Sequence, residues 1–289
     1  MYRIWEDERM TLVLAATPLG NPLDASVRLK RAIESAEIIA AEDSRRFHRL
    51  AADLEVIFTA HILSFFEGNE TDRTAEILSL LREGKEVLVV TDAGMPTICD
   101  PGFRLMRDAI AENITTIVIP GPSAPMMAIA LSGLPTDRFT FEGFAPRAQG
   151  ARQTFYEKLR FEERTMVIFE APHRLNESLA TAAEILGSDR KAAICREMTK
   201  TYEETIRGTL AELIAWSSSH EVLGEITLVI AGVEEGSQSR SADDAVTRVR
   251  EYEHAGMDRK AAIATVAEEF SLPKKIVYAA VVDANKMSR

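Results

Sequence analysis

Four short runs constrain this fold most: "TLVLAAT" (11–17), "EIIAAED" (37–43), "EVLVVTD" (86–92) and "TTIVIP" (115–120). Their apolar residues are consecutive rather than alternate, so strands built from them need cover on both faces, as in a parallel sheet. The intervening segments are amphipathic with helical period. Asp24 can cap a helix bearing Leu29, Ala32, Ile33 and Ala36, and Ser44 opens a second in "SRRFHRLAADLE". A third, from about Asn69 to Glu83, puts Thr74, Ile77, Leu78 and Leu81 on one face and stops at Gly84. "FRLMRDAIAEN" reads as a fourth. Strands and helices taking turns give an α/β fold with a mainly parallel, doubly covered sheet.

The pattern changes after about Gly143. "RTMVIFEA" (164–171), "KAAICREM" (191–198), "YEETIRGT" and "EITLVIAGV" (225–233) read as strands with antiparallel partners. A second α/β domain over 135–233 therefore follows a first over 1–134. Polar, aperiodic "EEGSQSRS" makes 234–241 a linker. Residues 242–289 hold three short helical patterns, the last two joined like a helix-turn-helix with Pro273 at a helix start. Ala262, Val266 and Phe270, or Ile276 and Ala279, would form its small core.

Composition sets the setting. No run of about 18 apolar residues exists to span a bilayer, and "MYRIWEDERM" is too charged for a secretory signal, so the expected compartment is the cytosol and no membrane partner is expected. Cys99 and Cys195 are too few for a disulfide framework, and the five histidines are dispersed, so no metal is expected. The net charge of −11 falls wholly in 1–240, because eight acidic and eight basic residues cancel from Ser241 onward. An RNA partner would therefore need local basic patches.

The sequence has no GxxxxGK[ST], GxGxxG or GxSxG motif. It does have turn-rich loops where strands end, the edge at which open α/β sheets bind ligands: "TPLGNP" (17–22), "AEDSRR" (41–46), "DAGMPTICDPG" (92–102) and "PGPSAP" (120–125). Each alone is ordinary turn chemistry; four on one edge indicate a site. Arg45, Arg46, Arg147, Arg174, Arg196 and Lys200 stand near strand ends, where they are either solvated surface or a cleft for a phosphate-bearing substrate. In the tail, Arg259, Lys260, Lys274 and Lys275 are likewise a solvated face or an RNA phosphate contact.

"TPLGNPLDAS", "AAEDSRR", "VVTDAGMPTICDPGFRL", "PGPSA", "LPTDRFTFEGFAPR", "EAPHRL" and "REMTKTYEE" occur in the order and spacing of the bacterial ribosomal RNA small-subunit methyltransferase I enzymes, a branch of the tetrapyrrole methylase superfamily. The chain resembles that family over roughly 11–233, and its tail is similar to the family's helical C-terminal domain. It departs at Pro22, Met95 and Cys99, which leave the glycine and aspartate framework intact. The resemblance implies two α/β domains of the class III methyltransferase fold and a small C-terminal helical domain, usually in a homodimer. It implies S-adenosylmethionine as cofactor and the ribose 2′-oxygen of a decoding-centre cytidine in 16S ribosomal RNA, in the small ribosomal subunit, as acceptor. The cofactor loops would be Pro18, Leu19 and Gly20; Asp92, Ala93 and Gly94; Ser123 and Ala124; and Thr227 with Leu228. Phe144, Glu170 and Arg196 would face the cleft.

A ribose hydroxyl is a poor nucleophile, so a base within hydrogen-bond reach should help. Candidates are Asp43 and Glu42 in "AEDSRR" and Glu170 and His173 in "EAPHR". Asp43 could equally cap a helix or pair with Arg46, and His173 pack at a helix start or touch a phosphate. Two other readings are a tetrapyrrole carbon methyltransferase and a non-catalytic nucleic-acid-binding regulator. The first lacks support in "DAGMPTICDPG" and the tail; the second leaves the strand-end loops unexplained.

Overall fold

The computed structural model describes residues 11–233, 242–270 and 272–287. The chain divides into two compact units, 1–232 and 233–289. The linker expected at 234–241 lies outside the described residues.

In the first unit, β1 (Thr11–Ala15), β2 (Ile38–Ala41), β3 (His61–Ser64), β4 (Val87–Val90) and β5 (Thr115–Ile119) form a wholly parallel sheet in the order β3-β2-β4-β1-β5. Alternate side chains of a strand point to opposite faces, which explains the consecutive apolar runs. Leu12, Leu14, Val87 and Val89 pack under α3 (Glu70–Arg82) and α4 (Phe103–Ala111). Val13, Ala15, Leu88 and Val90 pack under α1 (Val27–Ser35) and α2 (Ser44–Asp53). Ser26, not Asp24, caps α1, its side chain accepting from Leu29 N–H; Asp24 ends a 3-10 turn, Pro22–Asp24. Thr74, Ile77, Leu78 and Leu81 are buried as their spacing requires.

A second sheet has the order β6-β7-β10-β8-β9, from β6 (Phe139–Phe144), β7 (Thr165–Glu170), β8 (Lys191–Arg196), β9 (Glu204–Thr209) and β10 (Ile226–Ile230). Only β6 and β7 run parallel; β10 is antiparallel to β7 and β8, and β8 to β9. One face is covered by α6 (Gln149–Lys158), α7 (Leu175–Leu186) and α8 (Leu210–Ser219). The other is covered by α5 (Ala124–Ser132), which leaves the first sheet after β5 and packs Ala128 and Ile129 on Val167, Ala193 and Val229. That double allegiance explains why "APMMAIALS" is apolar all round.

The second unit is a small bundle of α9 (Ala242–His254), α10 (Arg259–Glu269) and α11 (Lys274–Met287). Ala262, Val266 and Phe270 are buried as expected. On α11 the buried pair is Val277 and Val281, whereas Ile276 and Ala279 are exposed, a one-residue shift of the expected face.

Candidate active site

At the C-terminal edge of the parallel sheet the loops are stitched to one another. Thr17 N–H donates to Gly94 C=O at 2.9 Å, and Gly94 N–H returns a bond to Thr17 C=O at 3.1 Å. Gly94 has φ 83°, and a Cβ there would stand 3.2 Å from Leu19 Cδ2, so this crossing of the β1 and β4 loops needs glycine. The β2 and β4 loops are linked in the same reciprocal way: Asp43 N–H donates to Asp92 Oδ1 and Asp92 N–H to Glu42 Oε2, each at 3.1 Å. Arg46 closes the stitch on Asp92 Oδ2 at 3.1 Å. Loops tied this way form a preset rim instead of one that a ligand must order.

The rim surrounds a cavity of about 380 Å³, a volume typical of small-ligand sites. The first sheet's loops supply Leu19, Glu42, Arg46, the stretch Asp92 to Met95, Ile98 to Asp100, and Ser123 to Pro125. The second sheet supplies Phe144, Phe169, Glu170 and Met198, with Gly224 to Thr227 at the start of β10. The wall is thus aromatic and aliphatic, interrupted by carboxyl groups.

Those carboxyl groups differ in their surroundings. Asp43 caps α2, accepting from Arg45 N–H at 2.8 Å and Arg46 N–H at 3.4 Å, and pairs with the Arg45 guanidinium at 2.9 Å. The hydrogen bonds from Arg45 hold it down at about 2. Burial pushes Glu42 and Asp92 up, against the Asp92 amide on one and Arg46 on the other. Glu170 is fully buried; its Oε1 takes Arg174 and the Ala171 N–H, both at 2.8 Å, while Oε2 has no partner. Asp100 is pushed up to about 7 by burial, then by the charge of Glu42.

The family profile described as Tetrapyrrole (Corrin/Porphyrin) Methylases matches residues 11–214. A protein of Mycobacterium tuberculosis (strain ATCC 25618 / H37Rv) named ribosomal RNA small subunit methyltransferase I is 45% identical over 256 residues, 89% of this chain and 88% of that one. This chain belongs to that branch of the tetrapyrrole methylase family. A relative of the same name from Thermotoga maritima is 42% identical over 223 residues, which are 77% of this chain and 99% of that protein. The crystal structure of uroporphyrin-III C-methyl transferase from Thermus thermophilus complexed with S-adenyl homocysteine superposes with TM-score 0.52 over 76% of this chain and 96% of that one, at 14% identity. That likeness shows the fold.

In this methylase the cavity gathers Leu19, Asp92, Ala93, Gly94, Ser123, Ala124, Thr227, Glu42, Glu170, Arg46 and Phe144 from the residues singled out in sequence. Others stand elsewhere. Leu228 points into the core with Met166 and Ile194, because it follows Thr227 on a strand and must face the opposite side. Pro18 is buried outside the lining, and Gly20 lies against Lys200, where a Cβ would come within 2.3 Å of Cγ. Asp43 is spent on its helix cap and Arg45, and His173 is exposed away from the cavity. Arg45 is exposed and held by Asp43, and Arg147 is exposed. Arg174 is committed to Glu170, Arg196 to Glu204 at 3.0 Å, and Lys200 to Glu197 at 2.9 Å and Glu225 at 3.2 Å. These three pair with carboxylates of their own chain. In the second unit Arg259 is paired with Glu253, while Lys260, Lys274 and Lys275 are exposed.

Sequence reasoning missed Asp100, Met198 and Glu225 as cavity residues. Asp100 stands in the quoted loop directly before Pro101 and Gly102, and an acid leading into two turn formers was the available signal. Cys99, its neighbour, is a thiol pushed up by burial and by Asp100, so it is a poor nucleophile.

Proposed function

We propose that this methylase transfers the methyl group of S-adenosylmethionine to the ribose 2′-oxygen of a cytidine in 16S ribosomal RNA of the small subunit. The observation that carries the reading is 45% identity over 89% of the chain with a relative named for small-subunit ribosomal RNA. Tetrapyrrole methyltransferases are supported as fold relatives only, at 14–21% identity.

The cavity fits the cofactor on chemical grounds. S-adenosylmethionine joins a flat adenine to sulfonium and ammonium cations, and the wall sets Phe144, Phe169 and Met198 beside five carboxyl groups. The unpartnered Glu170 Oε2 suits a cationic ligand, since a buried polar atom needs a partner. Leu19, Asp92, Ala93, Gly94, Ser123, Ala124 and Thr227 would hold the cofactor, which supplies an electrophilic methyl group when bound. The stitched rim fixes where the acceptor oxygen can approach, and positioning of this kind is worth up to roughly 7–11 kcal/mol in the best intramolecular cases. In this reading the cofactor lies between α/β domains 1–134 and 135–233. Exposed Arg45, Arg147, Lys260, Lys274 and Lys275 meet RNA phosphate, and the working form is a homodimer, which light scattering tests.

The decisive assay combines purified protein, labelled S-adenosylmethionine and small subunits from cells lacking the modification, with the labelled nucleoside identified. Label on a cytidine ribose is expected. Label on a base, or on a porphyrinoid alone, overturns the reading.

A further inference from the structure

We propose that α11 is a contact for single-stranded RNA, with Tyr278 stacking on an unpaired base and Lys274 and Lys275 holding the phosphates beside it. The inference rests on the functional reading above and adds to it a base contact and a preference for unpaired RNA.

Helix geometry sets the face. Val277 and Val281, one turn apart, seat α11 on the core of the bundle. Lys274, Lys275, Tyr278 and Ala279 are exposed on the side turned away from that core. Tyr278 stands four residues after Lys274 and three after Lys275, spacings that put Cβ atoms about 5–6 Å apart on a helix surface. Both cations are therefore neighbours of the ring.

Contacts inside the bundle distinguish this face from the rest of the unit. The other tyrosine, Tyr252, lies beneath the Arg248 guanidinium at 4.7 Å and donates to Glu269 at 3.2 Å. Arg248 is held by Glu251 and Glu269, and Arg259 by Glu253. Tyr278, by contrast, is 59% exposed, and its ring meets no other ring or cation among the described residues. No carboxylate among the described residues pairs with Lys274 or Lys275, and α11 has no acid before Asp283. An aromatic ring left in water beside two unneutralised cations complements a single strand, which offers phosphate charge and the flat faces of unstacked bases together. A duplex hides those faces, so the combination selects unpaired RNA.

The test uses full-length variants and small subunits lacking the modification. Tyr278→Ala should weaken binding to them about 5- to 150-fold, the loss of one base stack, whereas Tyr278→Trp should keep it within about threefold of wild type. Lys274→Ala and Lys275→Ala should each lower the slope of log affinity against log salt by about 0.7, and Tyr278→Ala should leave that slope unchanged. Calorimetric affinity for S-adenosylmethionine should stay at the wild-type value in all four variants. A photoreactive benzoylphenylalanine in place of Tyr278 should cross-link to RNA of the subunit. Wild-type binding by Tyr278→Ala, an equal loss in Tyr278→Trp, a salt slope unmoved by both lysine variants, or cross-links to ribosomal protein alone would each overturn this inference while wild-type methylation stands. A wild-type protein that transfers no methyl group to a cytidine ribose overturns the functional reading, and this inference with it.

Discussion

At the scale of single residues, the five acids that line the cavity and Asp43 differ because their neighbours differ. Asp43→Asn keeps a side chain that caps helices as well as aspartate does, so methyl transfer should stay within about threefold of wild type; a loss of about a hundredfold would return Asp43 to the list of bases. Arg174→Ala leaves the buried Glu170 carboxylate without its cation, which should lower stability by about 3–5 kcal/mol in urea unfolding. Asp100 gives a pH signature with a definite sign. Its folded-state proton affinity is raised to about 7 from an ordinary 3.8, so the fold binds the proton more tightly than the open chain does. Its contribution to stability is therefore fully present below about pH 4 and is lost progressively as pH rises to 7. Asn at this position cannot ionise, so the melting temperature of Asp100→Asn relative to wild type should be higher at pH 8 than at pH 5; an equal difference at both would show the shift is absent. Asp100 could be read in the sequence as a letter, but its raised proton affinity could not. Its proton affinity depends on Glu42, Asp92 and Glu225, which only the fold brings together.

Elements were more legible, because an apolar run buried on both faces reports its own surroundings. β1, β2, β4 and β5 follow from four such runs, and helix faces such as Thr74, Ile77, Leu78 and Leu81 follow from spacing. β3 was not legible: "HILS" is four residues at a sheet edge, half of them polar. Strand parity and helix phase explain the two side-chain misplacements, Leu228 beside Thr227 and Ile276 beside Val277. Each rests on a one-residue choice that packing makes and local sequence does not. The crossing of the β1 and β4 loops makes a prediction at this scale. Gly94→Ala forces a side chain into the left-handed region and toward Leu19, so it should cost about 1–2 kcal/mol of stability. It should also weaken cofactor binding at least tenfold by calorimetry, whereas Gly84→Ala, with nothing within 4 Å of the added carbon, should share only the stability loss.

For the whole molecule, the two compact units invite a division of labour. The Thermotoga maritima relative matches over 223 residues that make up 99% of its length, so a protein of about the first unit's size carries the same name. Removing 234–289 should therefore leave cofactor affinity nearly unchanged while weakening attachment to small subunits; equal loss of both would contradict the division. One feature of the first unit also bears on what the enzyme ignores. Arg45, Arg46, Arg174, Arg196 and Lys200 each already hold a carboxylate of their own chain. A stray transcript that recruits one of them must first break an internal pair, on a protein whose net charge of −11 repels it. Binding to unstructured RNA should accordingly be weak, with a salt dependence well short of the 6–10 phosphate contacts of a typical nucleic-acid binder. In a cell crowded with messenger and transfer RNA, cations already neutralised within the chain should give such competitors little to hold.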